Sequence, residues 1–251
     1  MRYVVSASER ADPWSRPPVK ETRRDPSGDK PAPKAVVNRV CLYLRQLEAF
    51  QRQGESTVSS SQLGAALAIN DAQVRKDLAF FGQFGYPGVG YRIEGLIGEL
   101  RRVLGIDRDW PIALIGLGNL GRALVKYKHF RRRGFHIVAL FDNDSHKVGL
   151  SIDGLAIQSI DKIGEFAAST SIRLAVLSVP AEVAQHVADR IVAAGIPGIL
   201  NFAPTNLVVP PTVSIVSVDL SVQLEHLAYK VLNTQGEIPS PAHLFDGANR
   251  G

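Results

Sequence analysis

The stretch Ile112–Leu124, IALIGLGNLGRAL, is the most informative pattern in the larger part of this chain. Its leading apolar residues are typical of a buried strand, and helical spacing resumes after the last glycine. Between a strand and a helix, glycines at this spacing permit a tight turn, a close approach of pyrophosphate and close packing of the helix. A helix amino terminus also offers free N–H groups to phosphates. The stretch therefore predicts a dinucleotide-binding loop formed by Gly116, Leu117, Gly118, Asn119, Leu120 and Gly121.

The residue that ends the next apolar run indicates which dinucleotide is bound. The run Ile137–Phe141 predicts a second strand, and Asp142 follows it directly. A carboxylate at this point accepts hydrogen bonds from a ribose diol and repels a 2′-phosphate. The expected cofactor is therefore NADH or NAD⁺ rather than NADPH.

Short apolar runs continue to alternate with helical segments beyond this point. Strands are expected at Leu174–Val179, Ile199–Phe202 and Val213–Val218, and helices at Asn119–Arg131 and Ala181–Ala193. Continuous apolar strands between helices predict a doubly wound parallel sheet, so the fold class is α/β with a Rossmann domain. Residues just beyond the strand ends join the predicted cofactor pocket: Ser178, Pro180 and Asn201.

The predicted pocket has no obvious catalytic group. A hydride-transfer enzyme needs a general acid or base, yet no titratable residue directly follows the strands that end near Ser178 and Asn201. The six histidines have no metal-ligand spacing, so no metal is expected. The site is therefore expected to bind rather than to turn over. The alternatives are an NAD-dependent dehydrogenase and a CoA- or nucleotide-binding module without DNA affinity, which titration with NADH and with acetyl-CoA would distinguish.

The segment before residue 106 has a different pattern, made of short helices. Ser59 and Ser60 offer N-cap hydroxyls to a helix over Ser61–Leu67, and a short turn leads to a second helix, Asp71–Phe81. Two short helices joined in this way form a helix-turn-helix pattern. The glycine-rich GQFGYPGVGY, residues 82–91, suits a small β-hairpin or wing. This segment therefore predicts a winged-helix DNA-binding domain.

The second of these helices has the chemistry of a recognition helix. Its apolar stripe must point inward, which places Lys76 on the opposite face with Arg75 and Gln73 beside it. Such side chains read guanine and adenine edges and bind phosphates in a major groove. A solvated helix face is the alternative, but the position after a turn and before a wing favours DNA. The predicted DNA contacts are Ser59, Ser60, Gln73, Arg75 and Lys76.

Composition and charge set broad limits on the function. The formal net charge is +5, and residues 1–40 carry nine Lys/Arg against five Asp/Glu, so the excess is N-terminal. A basic arm suits a polyanionic partner, although such arms are as often simply solubilising. The single cysteine, Cys41, excludes an intrachain disulfide. No apolar run approaches the roughly 20 residues that a membrane helix requires, so we expect a cytoplasmic protein without a membrane partner.

Six blocks of sequence, in one order, resemble the Rex family of redox-sensing transcriptional repressors. They are Tyr43-Leu44-Arg45, Ser59-Ser60, Gln73-Val74-Arg75-Lys76-Asp77-Leu78, Gly88-Val89-Gly90-Tyr91, Gly118-Asn119-Leu120-Gly121-Arg122-Ala123-Leu124 and Ile199-Leu200-Asn201-Phe202-Ala203-Pro204. The resemblance implies a repressor that binds palindromic operators of respiratory and fermentative genes and is released when NADH replaces NAD⁺. It also implies a homodimer in which the C-terminal helix, an amphipathic segment expected at Leu220–Leu232, is exchanged between subunits.

The resemblance also assigns roles to individual residues. Arg75 and Lys76 match the family's recognition helix, and the glycine loop with Asp142 matches its cofactor site. Three further residues match positions of the family's redox-sensitive contacts: Arg45, Tyr127 and Asp219. Their alternative reading is a surface arginine, a core-edge tyrosine and an N-cap aspartate. The wing departs from the family pattern, because Tyr86-Pro87-Gly88 stands where Thr-Arg-Gly is usual, so the family's minor-groove arginine is missing.

These observations predict five segments along the chain. They are a disordered basic, proline-rich arm over residues 1–33, a winged-helix domain over 34–105, a Rossmann domain over 106–218, a dimerisation helix over 219–233 and a flexible tail over 234–251.

Overall fold

The structure is a computed structural model, and it describes residues 32–85 and 88–235. The chain divides into two compact units, one ending at Arg108 and the other beginning at Asp109. Nearly all of the predicted arm, the wing residues Tyr86 and Pro87 and most of the predicted tail lie outside the described residues. Each unit has its own hydrophobic core.

The N-terminal unit follows the winged-helix order of elements. These are α1 (Lys34–Arg52), β1 (Thr57–Val58), α2 (Ser60–Leu67), α3 (Asp71–Phe81), β2 (Tyr91–Arg92) and α4 (Ile93–Val103). The expected caps are present, because the Ser59 hydroxyl accepts from the Gln62 N–H at 3.1 Å and the Asn70 side chain accepts from the Ala72 N–H at 2.8 Å. The apolar stripes of the helices form one core, including Leu44, Leu47, Val74, Leu78, Leu96 and Leu100.

The wing differs from the expected local hairpin. β2 pairs antiparallel with β1, which precedes α2 in the chain. Among the described residues of the glycine-rich segment, only Tyr91 belongs to a strand, where it begins β2. Gly82, Gly88 and Gly90 all adopt positive φ, which interrupts regular pairing within the segment.

The C-terminal unit is built on a seven-stranded sheet. Its elements are β3 (Trp110–Ile115), α5 (Asn119–Val125), α6 (Lys128–Arg132), β4 (Phe135–Asp142), β5 (Ser151–Ile152), β6 (Leu155–Ser159), α7 (Ile163–Thr170), β7 (Leu174–Leu177), α8 (Ala181–Ala193), β8 (Gly198–Asn201), β9 (Ser214–Ser217) and α9 (Leu220–Gln235). The strand order is β5-β6-β4-β3-β7-β8-β9. All neighbours are parallel except β5 and β6. The predicted parallel Rossmann-type sheet is confirmed.

The strand order creates a crevice beside the glycine loop. The chain runs outward from β3 to β4 and β6, then returns to place β7 on the other side of β3. The connections after β3 and β7 therefore diverge to opposite sides. Ligands of doubly wound sheets bind at such a switch point, beyond the carboxyl ends of the strands.

The local structure of this unit differs from the prediction in two ways. The single helix expected at Asn119–Arg131 is split into α5 and α6, with Tyr127 between them at ψ 87°. The Tyr127 ring packs edge-on against Phe130, with ring centroids 5.1 Å apart. The elements β5, β6 and α7 were not predicted from the sequence.

The last helix, α9, is exposed to solvent on all sides in the single chain. Every residue from Leu220 to Gln235 is exposed, including the leucines of its apolar stripe. Leu224 is 66% exposed and Leu227 is 55% exposed. Over residues 32–85 and 88–235, no helix has the length and apolarity needed to cross a membrane.

Candidate functional site

The glycine loop has the sterics expected of a dinucleotide cradle. Gly116 adopts φ +92°, and a Cβ there would lie 2.5 Å from the Ser178 carbonyl oxygen. A Cβ on Gly121 would overlap the Gly116 carbonyl oxygen. Gly118 is different, because a Cβ there would meet nothing within 4 Å. Gly116 and Gly121 are therefore required for the loop to fold, because a side chain at either would clash with the protein. The space beside Gly118 is open to a ligand.

Ser178 forms hydrogen bonds with the glycine loop and with the end of the strand before it. Its hydroxyl donates to the carbonyl oxygens of Gly116 at 2.9 Å and of Ile115 at 3.2 Å. Its backbone N–H donates to the Ile115 carbonyl at 2.8 Å. The predicted pocket residue Pro180 is exposed and precedes α8 as its N-cap. Ser178 therefore fixes the loop across the switch point.

Asp142 also contacts the glycine loop directly. Its Oδ2 accepts from the Leu117 N–H at 2.7 Å, and its Oδ1 accepts from the Asp144 N–H at 2.9 Å. The Lys147 ammonium lies 3.2 Å from Oδ2 and 3.4 Å from Asp144 Oδ2. Burial would raise the pKa of Asp142, but these donors hold it below its usual range. Asp142 is thus an ionised carboxylate that fixes the loop beside the expected ribose position.

Asn201 lies at the end of β8 and is fully buried. Its Nδ2 donates to the carbonyl oxygens of Ala203 at 3.1 Å and Thr205 at 3.0 Å, and it lies 3.4 Å from the Ser217 hydroxyl. Its Oδ1 accepts from the Ala203 N–H at 2.9 Å. The amide therefore shapes the loop after β8, and a direct contact with the cofactor stays a prediction.

The predicted DNA contacts lie on α3 and at the start of α2 in the N-terminal unit. Lys76 is exposed on α3, and within the described part of the chain it makes no ion pair. Arg75 Nη1 donates to Asp71 Oδ2 at 2.6 Å and to the Ser60 hydroxyl at 3.0 Å. The Ser59 hydroxyl is engaged in capping α2. The structure thus brings Ser60 and Arg75 together and leaves Lys76 facing solvent.

A buried acidic residue of α3, Asp77, was missed by the sequence analysis. Asp77 is 1% exposed. Arg39 donates to it from Nε at 2.5 Å and from Nη2 at 2.8 Å. The Tyr43 hydroxyl donates at 2.8 Å and the Gln73 amide nitrogen at 2.7 Å. The predicted DNA contact Gln73 is therefore tied to a buried carboxylate.

Burial and hydrogen bonding act in opposite directions on this cluster. Burial would raise the pKa of Asp77, but the hydrogen bonds from Arg39, Tyr43 and Gln73 lower it below its usual range. Burial and the neighbouring carboxylate raise the pKa of Tyr43. Asp77 is therefore ionised at neutral pH and Tyr43 is protonated. In the sequence, Asp77 could have been recognised because it lies on the buried stripe of α3, next to Leu78.

Of the three residues expected to form redox contacts, Arg45 lies in the N-terminal unit and Tyr127 and Asp219 lie in the C-terminal unit. Arg45 is exposed on α1. Tyr127 is 52% exposed, beside Phe130. Asp219 Oδ1 accepts from the Ser221 N–H at 2.9 Å, so this residue caps α9. Among the residues that the structure describes, no group of three His, Cys, Asp or Glu is arranged to hold a metal.

Two family models match the chain. The model described as a CoA binding domain matches residues 107–205, which lie almost entirely in the unit with the glycine loop. The model described as a putative DNA-binding protein N-terminus matches residues 32–79, which include α2 and α3.

Curated relatives match over nearly their whole length. Redox-sensing transcriptional repressor Rex from Carboxydothermus hydrogenoformans is 45% identical over 79% of this chain and 96% of its own. Rex from Streptomyces avermitilis is 42% identical over 86% of each chain. The chain belongs to the Rex family. The resemblance seen in the sequence is confirmed, and the dehydrogenase alternative is set aside because these relatives are repressors.

Solved structures of RSP, a Rex-family repressor, have a similar fold. RSP in complex with β-NADH is 32% identical, with a TM-score of 0.75 over 82% of this chain and 97% of that chain. RSP in complex with β-NAD⁺ and operator DNA is 34% identical, with a TM-score of 0.79 over 82% of this chain and 95% of that chain.

Proposed function

We propose that this Rex-family chain is a transcriptional repressor that binds palindromic operator DNA and is released when NADH replaces NAD⁺. The observation that carries the proposal is the presence, on one chain, of an exposed Lys76 on a helix-turn-helix and a glycine cradle open at Gly118. The family membership supports the same function. Binding to an inverted-repeat duplex, measured with and without NADH, tests it.

The cofactor is NADH or NAD⁺, held at the switch point of the sheet. The open space beside Gly118 fits the close approach of a pyrophosphate. Asp142 lies at the end of β4, where its carboxylate can accept from the adenosine ribose and repel a 2′-phosphate. Leu117, Asn119, Leu120, Ser178, Pro180 and Asn201 complete the pocket. The alternative of a CoA-binding module has no specific observation beyond the name of its family model.

DNA is read by α3, with Lys76 at the centre of the contact. Lys76→Ala is expected to lower operator affinity by about 1–3 kcal/mol, the size of one good base contact. The fold is expected to be unaffected, because Lys76 is exposed. Fluorescence anisotropy with a labelled inverted-repeat duplex measures the change.

Lys162→Ala is the matched control, since it removes a lysine from the C-terminal unit and is expected to bind DNA as wild type does. A folded Lys76→Ala variant with wild-type operator affinity would show that α3 does not read the DNA.

The protein acts as a homodimer in which α9 is exchanged between subunits. The support is the apolar stripe of α9, which is exposed along its whole length in the single chain. A second copy would bury these leucines, at about 1.5–3 kcal/mol for each side chain. Two heads related by a twofold axis also match the symmetry of a palindromic operator. The functional segments are those expected from the sequence: 34–105 for DNA, 106–218 for the cofactor and 219–233 for dimerisation.

The redox switch exchanges the partners of Asp219. In the DNA-bound state Arg45 pairs with Asp219 across the dimer, and in the NADH state Tyr127 takes Asp219 instead. Asp219 Oδ1 is engaged in capping α9, which leaves Oδ2 for either partner. Exchanging one charge-assisted contact supplies about 1–3 kcal/mol, the usual size of an allosteric coupling.

This switch predicts different effects of two variants on operator affinity and on the response to NADH. Asp219→Ala is expected to bind operator less well even without NADH, whereas Tyr127→Phe is expected to keep operator affinity and to respond weakly to NADH. The measurement is operator affinity at increasing NADH/NAD⁺ ratio for both variants and wild type. Identical coupling in all three would exclude this switch, whether or not the protein represses transcription.

A further inference from the structure

Asp77 has no remaining capacity to accept hydrogen bonds. Arg39 donates two, Tyr43 one and Gln73 one, with donor–acceptor distances of 2.5–2.8 Å. A carboxylate offers about four lone-pair positions, so all of them are used. The cluster therefore joins α1 to the first turn of α3 through one saturated buried carboxylate.

This carboxylate fixes the orientation of the Gln73 side chain. An ionised carboxylate only accepts, so only the nitrogen end of the Gln73 amide can face it. The Gln73 oxygen, Oε1, must then be turned away from Asp77. Within the part of the chain that the structure describes, no hydrogen bond reaches Oε1. The assignment of oxygen and nitrogen thus follows from the chemistry of the partner.

Gln73 is also in the right place to contact a base. It is the third residue of α3, after Asp71 and Ala72, and it is only partly buried. The amino-terminal residues of a recognition helix are those that reach base edges in the major groove. Gln73 precedes Lys76 by three residues and so lies near it on the helix surface.

We propose that Asp77 is a positioning residue that sets base specificity, because it makes Gln73 present its oxygen to the DNA. An acceptor in the major groove pairs with the amino group of adenine or cytosine, whereas guanine O6 and N7 and thymine O4 are themselves acceptors. The inference rests on the proposed operator binding. It assigns one position in each half-site to an amino-bearing base.

The first experiment identifies that position with wild-type protein and Gln73→Ala. Both are used to select binders from a pool of duplexes that carry a randomised inverted repeat. Wild type is expected to prefer adenine or cytosine over guanine or thymine at one position by about 5- to 150-fold. Gln73→Ala is expected to lose the preference at that position alone.

The second experiment uses wild-type protein only, so it does not depend on the folding of any variant. The selected base is replaced by its analogue without the amino group: purine for adenine, or 2-pyrimidinone for cytosine. Affinity is expected to fall by the factor seen with Gln73→Ala.

The third experiment removes the constraint on the amide. In Asp77→Asn the new side chain has its own NH₂ group, which allows Gln73 to turn over. The preference at that position is expected to fall below about twofold or to reverse toward guanine or thymine, with other positions unchanged. Tyr43→Phe is the matched control, because it removes a buried donor but leaves Asp77 as an acceptor, so the preference is retained.

Several outcomes would overturn the inference. They are a guanine or thymine preference at the Gln73 position, no loss with the amino-deleted base, or an unchanged preference in folded Asp77→Asn. Equal loss of preference in Tyr43→Phe would show that general stability, and not orientation, is responsible. If wild type selects no sequence from the pool, the proposed operator binding itself fails, which is a distinct result.

Discussion

Gly118→Val is expected to abolish NADH binding while operator binding survives. A side chain at this position meets nothing of the protein within 4 Å, and φ is −74°, so the fold accepts it. The same side chain fills the space that the pyrophosphate needs. Forcing extra atoms into a packed contact costs about 1–3 kcal/mol or more, which corresponds to a loss of roughly 5- to 150-fold or greater. NADH fluorescence titration measures this loss, and operator anisotropy shows whether the response to NADH disappears.

Gly164→Val is the matched control for this variant. Gly164 lies in α7 of the same unit, and a Cβ there also meets nothing within 4 Å. This variant is expected to bind NADH and operator as wild type does. Wild-type NADH affinity in folded Gly118→Val would remove the glycine loop from the cofactor site.

Leu224→Arg is expected to give a monomer with much weaker operator affinity. Leu224 belongs to the apolar stripe of α9 and is 66% exposed in the single chain, so a charge there leaves the isolated subunit intact. In an exchanged helix the same charge would be buried without a partner, which is strongly unfavourable. Loss of the second head removes an avidity of about 10²–10⁴. Analytical ultracentrifugation and operator titration measure the two effects.

His226→Arg introduces the same charge on the polar side of α9, because helical spacing places His226 on the same face as Lys230 and Asn233. It is expected to remain a dimer and to bind operator normally. A dimeric Leu224→Arg variant would show that α9 is not the dimerisation helix.

Local signals explain why much of the fold was predictable. The run before Gly116 and the spacing of the glycines identified β3 and the loop, because both depend on neighbouring residues. The caps Ser59 and Asn70 placed the helix-turn-helix for the same reason. Tyr127 breaks a segment that reads as one helix, and the contact of its ring with Phe130 has no separate signature in the sequence.

Long-range polar contacts explain what was not predictable at the sites. Arg39 and Asp77 are 38 residues apart, and Asp142 and Leu117 are 25 residues apart. The residues near each partner in the sequence do not indicate that these hydrogen-bonded pairs form. The sequence assigned Asp142 to a ribose and Gln73 to DNA, but the structure adds that each also has a structural hydrogen bond that limits how it can meet a ligand.

The proposed repressor is one whose operator affinity is lowered by NADH and not by NAD⁺. NAD⁺ and NADH can shift the protein only if they bind its two conformations differently. The most direct test is anisotropy of one labelled inverted-repeat duplex, selected by the wild-type protein, at a fixed total nucleotide concentration and a rising NADH/NAD⁺ ratio. Operator affinity is expected to fall by about 5- to 150-fold as NADH replaces NAD⁺. An affinity that does not change across the whole titration, in protein that binds NADH, would contradict the account.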